Sequence, residues 1–343
     1  CFAIEGRPLN IDTENQIVHV SAGMKLGQLY EHLDKEGLTL AYKQTINDVT
    51  VAGALATGTH GANRDKGLLA DQVIAVKLID SKGRKVLVDE KGCHVIDDNG
   101  KIKTTLIAGP MPLREMKLHR GVLGVIYEIS MKCVPAYDLK LVQTPMYEDD
   151  AFGVGYSKLI DHMDKNEHAD FFWFVPDERV IMRSSNKTTE PRKPRNPIAA
   201  AVLDDFARSK MATLAMQFIR LFPSAARPIG WLAARTFISS IEIRDRSDVV
   251  ESYLPGHAES ASQFQAMEYG VPYEKLTEAI EIVRESVEGY EMPVPMYFRR
   301  VGEKLYFEFI WLRGFPGGKD YAKKLEANLI KAFGADAMPH EGK

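Results

Sequence analysis

Thr57, Thr59 and His60 stand together in TVAGALATGTHG, residues 50–61, a run in which Gly53, Gly58 and Gly61 separate small neighbours. Hydroxyls and an imidazole set among residues without bulk can serve a ligand in two ways. Glycine and alanine let the backbone approach a bound group with no side chain in between. Successive N–H groups of such a run can also point one way and form an anion-binding concavity. Thr57, Thr59 and His60 would add donors at the same place. A pyrophosphate attached to a polar ring system suits that surface. A tight glycine-rich turn that binds nothing fits the same letters, since glycine-rich runs are individually weak signals. So much glycine disfavours a helix, and so many hydroxyls a buried strand, so a loop is expected here.

The elements that must hold this run are legible on both sides of it. NQIVHVSAG, residues 15–23, reads as a strand, and the segment after it places Leu26, Leu29 and Leu33 on one helical face before stopping at Gly37. Residues 72–89 set Ile74, Val76 and Leu78 on one side, turn at Asp80-Ser81-Lys82-Gly83, and return through Val86 and Val88, which predicts a hairpin. Residues 124–135 form another strand, ended by Pro135. From about residue 136 the texture changes. Residues 171–185 read as strands, NKTTEPRKPRN as a solvated connector, and residues 198–240 as Ala-rich amphipathic helices interrupted by charges and prolines. Strand, helix, strand, strand, helix then follow to the end, which indicates an α+β sheet with helices on one face.

At 343 residues the chain has room for two domains. A net charge of −3 with 27% charged residues excludes a nucleic-acid partner or a polybasic membrane patch. Cys1, Cys93 and Cys133 make neither a disulfide framework nor a metal spacing, so reduced thiols and a cytoplasmic location are expected. Nothing resembles a signal peptide or an uninterrupted apolar span; peripheral membrane contact through the Ala-rich helices is the alternative. No strand–GxGxxG–helix unit and no GxxxxGK[ST] occurs. His94, His119, His162 and His168 lack the spacing of a metal site and read as surface or loop residues, so no metal is expected. Trp173, Trp231 and Trp311 read as core.

Residues 50–83, TVAGALATGTHGANRDKGLLADQVIAVKLIDSKG, resemble the flavin-binding signature of the vanillyl-alcohol oxidase family, and more closely its sugar-1,4-lactone oxidase and alditol oxidase branch. VSAGMKLGQLYEHLDKEGLTL, LGVIYEISMKCVP, FFWFVPDERVIMRSSNKT, RDRSDVV, MEYGVPYEKLTEAI and the terminal MPHEGK resemble further parts of that family in the same order. The resemblance implies an FAD-binding (PCMH-type) domain over residues 1–135 and, over 136–343, a substrate or cap domain of D-arabinono-lactone oxidase type with an antiparallel sheet and covering helices. It implies that Thr50, Val51, Gly53, Ala54, Thr57, Gly58, Thr59, His60 and Gly61 line FAD, with Val125 and Ile126 touching it from another strand. The family opens with a further flavin subdomain carrying a GxGHS-type segment. Residues 1–50 do not match it, so the chain reads as cut at both ends, with the first flavin subdomain missing.

Oxidising an alcohol with a flavin requires a C–H carbon near N5, a group that takes the hydroxyl proton, and positive charge beside the reduced ring. In the similar enzymes a Glu-x-Arg on one strand, a His and a Thr on the next, and a terminal Lys do this work. Here Tyr297 stands at the Glu position and Arg299 at the Arg position, both on one face of a strand. Glu308 falls at the His position, Ile310 at the Thr position, and Lys343 at the terminal Lys, with His340 and Glu341 before it. The resemblance therefore implies catalytic roles for Arg299, Lys343, Glu308 and Tyr297, with Glu308 and Tyr297 restoring an acid–base pair in exchanged roles. Glu268 reads as the partner in a structural salt bridge. The expected activity is oxidation of a CH–OH group of a sugar-derived lactone, alditol or related alcohol by hydride transfer to flavin N5, with oxygen or another acceptor taking the electrons. The altered positions leave two alternatives: a catalytically altered or inactive remnant acting as a binding module, or a flavin oxidase of a more apolar alcohol.

Overall fold

A computed structural model describes residues 9–65, 67–196, 210–229, 240–252, 264–291 and 294–340. Strands β1 (Leu9–Asp12), β2 (Ile17–Ser21), β4 (Val73–Ile79), β5 (Lys85–Asp89), β6 (Gly92–Ile96), β7 (Ile102–Ala108) and β8 (Val125–Lys132) form one antiparallel sheet, ordered β1-β2-β8-β4-β5-β6-β7. A short pair, β3 (Leu38–Thr39) with β9 (Val134–Pro135), stands apart from it. Period-two alternation puts Val18, Val20, Val86 and Val88 in the core. Against them pack Leu26, Leu29, Tyr30 and Leu33 of α1 (Leu26–Lys35), at the helical spacing that makes one apolar stripe. Gly37, at φ 68°, lets the chain leave that helix.

The β4–β5 hairpin turns where expected, with Gly83 at φ 73° and Asp80 Oδ1 accepting the amides of Lys82 and Arg84. Its buried set differs from simple alternation. Val73, Val76 and Leu78 are buried while Ile74 is half-exposed, because the register against β8 shifts between Val73 and Ala75. An extra residue there resets the phase of the strand, and no local sequence signal announces it.

Strands β10 (Asp138–Tyr147), β11 (His168–Phe174), β12 (Arg179–Thr188), β13 (Ile241–Arg246), β14 (Phe264–Pro272), β15 (Met296–Val301), β16 (Lys304–Leu312) and β17 (Met338–Pro339) form a second antiparallel sheet, ordered β13-β10-β12-β11-β15-β16-β14-β17. One face is aromatic. Phe171 stacks on Phe298 at 4.5 Å, and Trp173, Phe307 and Phe309 complete a layer covered by Ala279, Ile280, Val283, Leu325 and Leu329 from the helices Leu276–Val287 and Gly318–Phe333. Truncating one of these buried rings to alanine costs about 3–5 kcal/mol. The alternate residues, Asp170, Arg183, Glu268, Tyr297, Arg299 and Glu308, fall on the opposite face and are polar. This polar face meets the segment after the Gly–Thr–His run, as Asn63 N–H bonds the Arg300 carbonyl and Arg64 N–H the Glu167 carbonyl. The fold is α+β.

Trp173 is core and Trp311 half-buried, whereas Trp231 lies outside the described residues. His94, His119 and His168 are buried, not surface residues, because Nδ1 of each finds a partner in the interior: Thr105 for His94, the Gly121 amide for His119, the Ala62 carbonyl for His168. Among the described residues no helix is long and apolar enough to cross a membrane.

Candidate functional site

The glycine–threonine run is half helix. Val51–Ala56 forms α2, capped by Thr50, whose Oγ1 accepts from the Gly53 amide at 3.2 Å. The cap and the burial of Val51, Ala54 and Leu55 outweigh the cost of one glycine. This corrects the expected concavity of free amides. The N–H groups of Val51 and Ala52 bond the carbonyls of Met24 and Ala22, Ala54 bonds Thr50, and Gly58 and Thr59 bond Leu55 and Ala54. Those donors are already spent.

The turn itself is residues 57–61. Thr57 Oγ1 donates to the Gly53 carbonyl and lies 3.2 Å from Thr59 Oγ1. Gly58, at φ 67°, packs so tightly on Leu118 that a Cβ would come within 2.5 Å of its side chain. A Cβ at Gly61 would meet the Lys43 carbonyl oxygen at 2.3 Å. Leu118, against Gly58, exposes an apolar side chain, as do Val122 and Val125 farther along the same segment, Val125 to 66%, with Ile126 half-buried next to it.

Three strands deliver charge to this turn. Arg299 on β15 is 4% exposed. Its Nη1 donates to the His60 carbonyl at 3.3 Å, its Nη2 bonds Glu268 of β14, and Glu308 Oε2 of β16 lies 3.8 Å away. The register that pairs Tyr297 with Glu308 and Glu308 with Glu268 makes a row across the sheet. Tyr297 stacks on Phe172 at 4.4 Å, its ring lies under the guanidinium, and its hydroxyl is a hydrogen-bond partner of Asp170. Burial raises the Asp170 carboxyl although Arg183 and Arg299 oppose it. Of the carboxylates at Arg299, Glu268 is sealed at 1% and Glu308 is open at 14%.

His60 is buried against the Tyr306 ring at 4.3 Å, with His340 at 5.2 Å. Desolvation, reinforced by the Arg299 charge, pushes its pKa down to about 3, so the ring is neutral at physiological pH. Gly270 makes room for that contact, since a Cβ there would meet the Tyr306 ring at 2.7 Å. His340 follows β17, with its amide on the Glu268 carbonyl and Nε2 3.3 Å from the Gly58 carbonyl.

The structure thus gathers Thr57–Gly61, Tyr297, Arg299 and Glu308 at one junction, while Lys343 lies outside the described residues. Ile310 is half-buried farther along β16. Glu268 closes the salt bridge expected of it, onto Arg299, whereas sequence reasoning missed the parts played by Asp170, Arg183, Tyr306 and His340. The alternation of Asp170, Arg183 and Tyr306 with core residues on β11, β12 and β16 was the signal that could have found those three.

The fold is that of a cholesterol oxidase of B. sterolicum, on which the chain superposes with a TM-score of 0.71 at 14% identity, over 97% of this chain and 72% of that one. The FAD binding domain family matches residues 6–89, and the D-arabinono-1,4-lactone oxidase family matches residues 129–325. The chain belongs to the D-arabinono-1,4-lactone oxidase family. It is similar to L-gulonolactone oxidase of Bos taurus, at 30% identity over 185 residues, which is 54% of this chain and 38% of that protein. It is also similar to L-gulonolactone oxidase of Mus musculus, at 26% identity over 98% of this chain and 74% of that one.

The geometry suits one side of FAD better than the whole of it. A hydroxyl-bearing turn, an open apolar flank at Val125 and a buried guanidinium bonded to the turn fit the ring. The amides expected to hold the pyrophosphate are taken by α2, its cap and the carbonyls of Ala22 and Met24.

Proposed function

We propose that the chain acts as an FAD-dependent oxidoreductase that oxidises a CH–OH group of a sugar-derived lactone. One observation carries this reading: the Arg299 fork, presented by the second sheet, bonds the carbonyl of His60 in the Gly–Thr–His turn. In this reading residues 1–135 hold the cofactor and residues 136–343 present the substrate. FAD, when bound, supplies the hydride acceptor. Glu308, the more open carboxylate at the site, takes the proton of the substrate hydroxyl. Arg299, joined by Lys343, sets positive charge beside the ring as electrons arrive. Tyr297 positions the guanidinium under which its ring lies. Thr57, Thr59 and Gly58 face the ring together with Val125 and Ile126, while Thr50, Val51, Gly53, Ala54 and Gly61 shape that surface from behind. Oxygen or another acceptor regenerates the cofactor, and a cytoplasmic location, with peripheral membrane contact as the variant, belongs to the same proposal.

The test is anaerobic mixing of the full-length, FAD-loaded protein with L-gulono-1,4-lactone, xylitol and a long-chain alcohol. Bleaching of the oxidised flavin is expected with the lactone. A protein that takes up no FAD when it is supplied removes the reading, and bleaching by the long-chain alcohol alone moves it to an apolar substrate.

A further inference from the structure

Three side chains of metal-ligating type meet where the two sheets join. One ligand atom from each of His60, Glu268 and His340 lies within 4.8 Å of the others. Tautomers decide what such a group can do. His60 Nδ1 is 3.1 Å from the Gly61 carbonyl oxygen. A carbonyl only accepts, so Nδ1 carries the proton and Nε2 of the neutral ring presents a lone pair. That Nε2 is buried, has no hydrogen-bond partner, and faces Glu268 Oε1 at 3.5 Å. Two acceptors confronting each other away from water repel unless a positive charge stands between them.

His340 repeats the arrangement from the other side. Its Nε2 lies 3.3 Å from the Gly58 carbonyl, which places the proton there and turns the lone pair of Nδ1 toward Glu268 Oε2 at 4.0 Å. A backbone carbonyl that holds the distal N–H is the usual support behind a ligating imidazole. Arg299 Nη2 bonds Glu268 Oε1, the oxygen that faces His60, orienting the carboxylate and offsetting part of that repulsion while His60 Nε2 still receives no donor.

The spacing is close to what an ion needs. Tetrahedral bonds of about 2.1 Å put neighbouring ligand atoms about 3.4 Å apart. His60 Nε2 stands 3.5 Å from Glu268 Oε1 and His340 Nδ1 4.0 Å from Oε2, so the two imidazoles flank the carboxylate and small side-chain rotations bring the three groups to that spacing. Two imidazoles and one carboxylate select a zinc-like transition ion over calcium or magnesium, which take oxygen ligands.

We propose that His60, Glu268 and His340 bind one divalent transition-metal ion of zinc-like preference, which ties the Gly–Thr–His turn to β14 and to the segment after β17. The proposal does not rest on the flavin reading, because every ligand belongs to the chain itself.

The test is titration of the metal-stripped full chain with Zn²⁺ against a chromophoric chelator, followed by Co²⁺ spectroscopy. One equivalent is expected, with cobalt bands of low-symmetry nitrogen–oxygen coordination. His60→Ala and His340→Ala should each weaken binding by at least about tenfold, while His32→Ala, on the exposed face of α1, leaves it unchanged. His60 is buried and its variant can misfold, so half-buried His340→Ala, checked for native circular dichroism, decides the matter. Uptake of less than one equivalent, or equal affinity in folded His340→Ala, overturns the site.

Discussion

Two buried charge clusters sit where the first sheet's loops meet the second sheet, and they differ in how tightly they close. In one, Glu251 holds His168 Nδ1 at 3.0 Å and Lys43 Nζ at 3.4 Å, and His168 reaches the Ala62 carbonyl at 2.6 Å. All three side chains are less than a tenth exposed. Burial alone would raise the Glu251 carboxyl, but the charges of His168 and Lys43 outweigh it and hold it low. Burial alone would lower His168, and Glu251 outweighs it and raises it. In the other cluster two carboxylates share Arg299, the second at 3.8 Å, Glu308 opens to solvent, and His60 Nε2 stands against Glu268. Both use the same ingredients on the same junction. The matched cluster fastens the segment after the turn through the Ala62 carbonyl; the mismatched one is the cluster proposed above to do chemistry.

Glu251→Gln gives the largest expected effect. It leaves the Lys43 and His168 charges buried without their counterion, at a cost of about 3–5 kcal/mol by denaturant titration. Glu268→Gln should cost clearly less, because Arg299 keeps Glu308 and the His60 carbonyl. Equal costs would erase the distinction between the clusters.

Arg299→Lys keeps the charge and loses the fork, so flavin reduction should slow by about 100-fold while FAD affinity changes little. Lys343→Ala should shift the rate in the same direction. If rate and affinity fall together, Arg299 belongs with the fastening cluster instead.

His168→Gln sharpens the contrast through pH. His168 is raised above its ordinary 6.5, so its stabilisation is complete below 6.5 and is lost as pH climbs through the raised value. Glu251 is held below its ordinary 4.5, so its share is present above 4.5 and is lost as pH falls through the depressed value. The stability gap between native and variant protein should be widest between those two ordinary values and should narrow toward alkaline pH. A gap that stays flat across a pH series of denaturation midpoints would mean that His168 is not charged in the fold.

Thr50→Ala is the smallest effect. Loss of the α2 cap should cost about 1 kcal/mol, with little change in reduction rate if the run serves mainly as scaffold. A drop in rate larger than the drop in stability would show that Thr50 touches the ligand.

Much of the fold was legible because its signals are local. The Leu26–Leu29–Leu33 stripe, the hairpin at Asp80–Gly83 and the strand–helix–strand–strand–helix order of the second half each depend on a few neighbouring residues. The site was legible in part: Tyr297, Arg299 and Glu308 share one face by strand periodicity alone. The helix at Val51–Ala56 was not, since its stability comes from a core against which Val51, Ala54 and Leu55 pack. Neither was the pairing of Arg299 with Glu268, which adjacent positions on β14 and β16 bring about only after β15 and β16 have registered.

By itself the sequence determined the alternation of aromatic and polar residues on the second sheet and the glycines that a close turn demands at 58 and 61. Both are properties of single side chains and their spacing. Only the tertiary structure decided that the amides of residues 51, 52, 54, 58 and 59 are spent, that His94, His119 and His168 are buried, and that His60, Glu268 and His340 converge. Hydrogen-bond partners and charge neighbours are set by which distant segments the topology brings together, and chain spacing carries no record of that choice.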